Sequence, residues 1–67
     1  MKISGRNKLK SRVKKVVKGK VMAEVVLDFK GVELVSVVTM DAVRELGLKP
    51  GDQVTALIKA TEVMLMK

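Results

Sequence analysis

The chain has 67 residues, fourteen basic and seven acidic, with a formal net charge of +7 and neither cysteine nor histidine. That length allows one small domain, expected over residues 1–67, with no disulfide framework, no thiolate or imidazole metal site and no histidine base. Apolar residues make up 48% of the chain, too many to hide in so thin a core, so self-association is the expected support.

The charge is unevenly placed. Residues 1–20 hold nine basic residues (Lys2, Arg6, Lys8, Lys10, Arg12, Lys14, Lys15, Lys18, Lys20) and no acid, whereas residues 21–67 hold five basic and seven acidic. The positive field therefore belongs to the first segment, and its partner should be anionic. The competing explanation is that these lysines only keep a strand soluble and unpaired. No apolar run reaches the length of a membrane span, and the basic start lacks the apolar stretch of a signal peptide. A cytoplasmic location, with no membrane partner, is the expectation.

In chain order, Leu9, Ser11 and Val13 fall on one face and Lys8, Lys10, Arg12 and Lys14 on the other. That period of two predicts a strand with one solvated face. The alternation slips at Lys14-Lys15-Val16-Val17, which predicts a bulge, and Gly19 marks a turn. A second strand over 21–29 puts Val21, Ala23, Val25, Leu27 and Phe29 on one face. Lys30-Gly31 is a two-residue hairpin signal. It leads into a third strand from Val32 to about Val38, apolar on both faces and so expected to be covered on both. Thr39 is an N-cap for a short helix over Met40 to Leu46, with Asp41 in its first turn and Gly47 closing it. Pro50-Gly51 fits the two central positions of a type II turn. A fourth strand alternates Val54, Ala56 and Ile58 with Thr55, Leu57 and Lys59, and a fifth is predicted over about Glu62 to Met66.

Five strands with one short helix between the third and fourth predict an all-β fold, a five-stranded OB-like barrel. No repeat, low-complexity stretch or linker to a second domain is visible.

An enzyme is not expected. The acids Glu24, Asp28, Glu33, Asp41, Glu45, Asp52 and Glu62 are scattered singly. What the sequence does hold is hydrogen-bond donors at strand ends. In Ser4-Gly5-Arg6-Asn7 the glycine frees the backbone, so that successive N–H groups can converge on an anion, while the arginine adds a charged fork. Lys59-Ala60-Thr61 supplies an ammonium, a small residue and a hydroxyl. Thr39 stands where a helix N-terminus already favours anions. A tetrahedral dianion that carries no protons, such as molybdate or tungstate, only accepts hydrogen bonds and suits such a set. The five methionines (Met1, Met22, Met40, Met64, Met66) are read as core or interface filler, not as ligands.

The order Ser4-Gly5-Arg6-Asn7, Lys18-Gly19-Lys20-Val21, Ala23-Glu24-Val25, Thr39 before a helix, Leu46-Gly47-Leu48-Lys49-Pro50-Gly51-Asp52 and Val54-Thr55-Ala56-Leu57-Ile58-Lys59-Ala60-Thr61 resembles the molbindin family. These are Mop proteins of the TOBE class. The resemblance covers essentially the whole chain. It implies the TOBE/Mop version of the barrel with strand exchange between subunits, a homohexamer built as a trimer of dimers, and molybdate or tungstate bound at subunit interfaces for storage or buffering. On that likeness Ser4, Gly5, Arg6, Asn7, Thr39, Lys59, Ala60 and Thr61 line the oxyanion site, and Gly19 and Lys20 approach a second one. Two positions depart from the family pattern. Gly5 replaces an alanine, and Ala42 stands where relatives often carry a serine hydroxyl.

The main rival is a basic barrel that binds nucleic acid, either as a single-strand binder or as a dimeric transcriptional regulator. Such barrels usually stack bases on aromatic side chains, and Phe29 is the only aromatic residue here. This argues against nucleic acid as a partner.

Overall fold

The computed structural model describes residues 7–67. Four strands, β1 (Asn7–Lys18), β2 (Met22–Phe29), β3 (Val32–Thr39) and β4 (Gln53–Ile58), form one antiparallel sheet in the order β3-β2-β1-β4. The one α-helix among the described residues, α1 (Met40–Leu46), joins β3 to β4. The all-β class with one short helix is as expected.

Local chemistry explains the turns. The β1–β2 register shifts between Val13 and Lys15, so Lys14 is the extra residue of a bulge, where the broken alternation predicted one. Its ammonium meets the Glu33 carboxylate at 3.1 Å, and both side chains are more than half exposed, so the pair adds little stability. The bulge is held from below: Val13 donates to the Asp52 carbonyl and accepts from the Gly51 N–H, each at 2.9 Å. Bent there, β1 pairs β4 along its first half and β2 along its second. Lys30 and Gly31 both take positive φ, 50° and 86°, as a two-residue hairpin of this twist demands. The Thr39 hydroxyl caps α1 by accepting from the Ala42 N–H at 3.1 Å, and Gly47 closes it with φ 61°.

The core lies on the inner face. Val13, Ala23, Val25 and Leu27 meet Met40 and Val43 of α1, with Leu34, Val38, Leu48, Val54 and Ala56 packed around them. This apolar contact, with the Met40 N–H to Val21 carbonyl bond at 2.7 Å, fixes α1 beside the β1–β2 turn.

Two expectations are corrected. β3 is covered on one face only: Val35 and Val37 on its outer face are 59% and 64% exposed. Their neighbour on β2, Val26, is by contrast buried at 3% exposure. The second correction concerns the C-terminal segment. Residues Ala60–Glu62 form a 3-10 turn that directs the chain off the sheet, and the expected fifth strand over Glu62 to Met66 is absent. Among the described residues the sheet therefore has four strands, with β3 and β4 as its edges. Met64, Leu65 and Met66 are more than nine-tenths exposed. Between the two edges runs a groove of about 320 Å³, lined by Leu34, Val38, Val54, Ala56 and Ile58 among others.

Candidate oxyanion site

The sequence singled out donors in three places, and strand register decides which of them meet. Ser4, Gly5 and Arg6 lie outside the described residues. Asn7 is the first residue of β1 and pairs with Ile58, the last of β4. Its side-chain Nδ2 also donates to the Ile58 carbonyl at 3.2 Å. This clasp brings the end of the Ser4–Asn7 segment beside Lys59, the next residue after β4.

Lys59 opens the 3-10 turn, and its carbonyl accepts from the Glu62 N–H at 2.9 Å. The first N–H groups of a helical turn have no partner within it, and here those belong to Ala60 and Thr61. Lys59, Ala60 and Thr61 are all exposed, so an ammonium, two backbone N–H groups and a hydroxyl are offered to solvent within three consecutive residues. Glu62 shares the turn, and a carboxylate here must point away from any bound anion.

Thr39 is elsewhere. It pairs with Met22, at the end of the sheet where Lys18 of β1 pairs with Ala23. The twelve residues of β1 separate this end from the Asn7 end, on the order of 30 Å at the usual rise for a bent strand. Within one chain Thr39 does not join Asn7, Lys59, Ala60 and Thr61. Its hydroxyl oxygen already accepts from the Ala42 N–H, which leaves its own proton free to donate.

Gly19 and Lys20 share the Thr39 end. The Gly19 N–H donates to the Met22 carbonyl at 2.9 Å, and a Cβ at this position would stand 2.5 Å from that oxygen. The close approach, rather than an unusual φ, requires glycine. Lys18 and Lys20 flank it, and neither has an ion-pair partner among the described residues.

Ala42 donates its backbone N–H to Thr39 and brings no hydroxyl of its own. Among the described residues no group of three or more acids is placed to hold a cation. The Lys30 ammonium stands 5.5 Å from the centroid of the Phe29 ring. No helix among the described residues is long and apolar enough to cross a membrane.

Comparison with known proteins gives a consistent result. Residues 3–65 match the TOBE domain family. The chain is 48% identical over 67 residues to molybdenum-pterin-binding protein 3 of Clostridium pasteurianum, covering 98% of each. The solved structure of a molybdate-binding protein from Sporomusa ovata superposes with a TM-score of 0.95 at 61% identity, covering all of both chains. The cytoplasmic molybdate-binding protein ModG, solved with molybdate bound, gives 0.89 at 48% identity over 96% of this chain and 46% of its own. By sequence and fold alike, this chain belongs to the molbindin (Mop) branch of the TOBE-domain family.

Proposed function

We propose that this chain binds molybdate reversibly, with tungstate as the chemically matched alternative, to store or buffer the oxyanion in the cytoplasm without catalysis. Membership of a family whose structural relative at 61% identity is a molybdate-binding protein supports the ligand. The observation that supports the residues is the Asn7–Ile58 register, which sets Asn7 beside the start of Lys59-Ala60-Thr61. An ammonium, a guanidinium, hydroxyls and free N–H groups are all donors, and an unprotonated dianion is all acceptor.

In this reading Ser4, Gly5, Arg6, Asn7, Lys59, Ala60 and Thr61 of one chain meet Thr39 of another, because within one chain Thr39 lies at the opposite end of β1 from Asn7 and Lys59. The Gly19-Lys20 turn supplies the second type of site. Both require the homohexamer, a trimer of dimers. Strand exchange has support in what this chain leaves open: an apolar tail at Val63–Met66 and an apolar groove between β3 and β4. A tail from one copy seated in the groove of another adds the fifth strand to each barrel.

Six copies at +7 repel one another, and interface dianions relieve part of that repulsion. Millimolar molybdate should therefore raise Tm, with stabilisation of about 2.7 kcal/mol when free ligand is a hundred times Kd. An unchanged Tm together with no heat on titration contradicts the proposal. Parallel titrations with tungstate, sulfate, phosphate and a pterin separate the oxyanion from its competitors.

A further inference from the structure

The outer face of β1 and β4 carries a row of cations that neither the core nor the candidate oxyanion site uses. Before the bulge, β1 alternates inward Leu9, Ser11 and Val13 with Lys8, Lys10 and Arg12, which are all exposed. Across from those three on β4 stand Leu57, Thr55 and Gln53, exposed and uncharged. None of the three cations has an ion-pair partner among the described residues. The acid nearest in register is Asp28, which pairs with Arg12 from β2. Its carboxylate accepts from the Gly31 N–H at 3.1 Å, so it serves the hairpin and ends the row. Lys10, Arg12, Gln53, Thr55 and Asp28 border a depression of about 610 Å³, so the cations edge a hollow.

Spacing and surroundings indicate which anion fits. Alternate residues of a strand stand about 6.8 Å apart. An extended peptide with an acid at every second position presents its carboxylates on one side at the same interval. Lying along β1, such a segment meets all three cations in register, with its other side chains facing away. Nucleic acid is matched less well. The chain has one aromatic residue, Phe29, at the far end of β2, so single-stranded bases find no stacking platform beside the row. A duplex carries a charge every 1.7 Å or so of its axis, most of which three cations leave unanswered.

We propose that Lys8, Lys10 and Arg12 form a docking row for an acidic, extended segment of a partner protein. Three like charges on one half-strand repel one another, and alternating carboxylates relieve that repulsion. Each contact is exposed and weak alone, so recognition rests on register across the row. The row is separate from the residues assigned to molybdate, and the inference does not depend on that ligand.

Fluorescence anisotropy at low salt tests this, with the full chain in millimolar molybdate so that oxyanion sites are filled. The probe is a labelled peptide alternating glutamate and threonine, compared with a peptide of the same composition whose glutamates form one block. The alternating peptide should bind about fivefold tighter than the block. Lys8→Glu, Lys10→Glu and Arg12→Glu should each weaken it about 5- to 10-fold, and the neutral Lys10→Gln about threefold. Lys30→Glu changes the net charge equally but lies on the hairpin, and should cost less than about twofold. Exposed positions on a preserved sheet should leave the far-ultraviolet circular dichroism unchanged. The proposal is overturned if the alternating peptide does not bind, if the block binds as tightly, or if Lys30→Glu costs as much as Lys10→Glu. Tighter binding of single-stranded or duplex DNA through the same three residues would overturn it in favour of nucleic acid. Molybdate titration of the parent reports on the oxyanion independently of all these outcomes.

Discussion

The two ends of β1 differ in what they offer an anion. At the Asn7 end a hydrogen-bonded clasp to Ile58 holds an exposed corner where Lys59, Ala60 and Thr61 present an ammonium, N–H groups and a hydroxyl. At the Lys18 end the structure is tighter: Gly19 lies against the Met22 carbonyl, and Thr39 is locked into the cap of α1. One end has free donors on a turn; the other has a rigid frame with one hydroxyl proton and two lysines to spare. Each end alone is an ordinary strand terminus, and the full length of β1 lies between them. A site that uses both must draw them from different copies, and for that reason the proposed binding and the proposed assembly are one question.

The difference can be broken at either end. Removing the charge at the Asn7 end with Lys59→Ala or Arg6→Ala should weaken molybdate by about 10- to 100-fold, the worth of a charge-assisted hydrogen bond, in titration calorimetry. At the Lys18 end, Gly19→Ala forces a Cβ onto backbone and should cost about 1–3 kcal/mol in urea unfolding. It should also reduce the number of bound anions while the sites built on Lys59-Ala60-Thr61 keep their affinity. Thr39→Ala removes the cap of α1 and should cost about 1 kcal/mol, which Thr39→Ser should largely restore. The smallest change is expected three residues along β1 from Asn7, where Lys10→Ala removes a solvated charge and should shift affinity less than about twofold. Equal losses for Lys10, Lys59 and Arg6 would mean a diffuse field instead of a site.

The sequence makes the local features legible and leaves the non-local ones open. The Lys14 bulge, the Lys30-Gly31 hairpin, the Thr39 cap and the Gly47 stop each depend on a few neighbouring residues and their φ preferences, and each is found where the pattern places it. The covered outer face of β3 and the strand at Glu62–Met66 are different. Hydrophobic periodicity reports that a surface wants burial, not which layer or which chain supplies it. Val35, Val37 and the tail carry that signal and remain exposed within a single copy. The separation of Thr39 from Lys59 was equally hidden, since it follows from two pairings, Met22 with Thr39 and Asn7 with Ile58, that join residues far apart in sequence. Donor chemistry was readable residue by residue; its division between the two ends of β1 was not.

The most direct measurement mixes two defective chains. Lys59→Ala lacks the ammonium at one end, and Thr39→Asp keeps a good cap at the other while setting a carboxylate against the anion. Each alone should bind molybdate poorly. Unfolded together and refolded, they form mixed assemblies in which some sites take Lys59 from one chain and Thr39 from the other. A site shared between copies predicts that a fraction of tight molybdate binding returns in the mixture and is absent from the two proteins refolded apart. No recovery, from mixed particles shown by mass to contain both chains, would contradict a shared site.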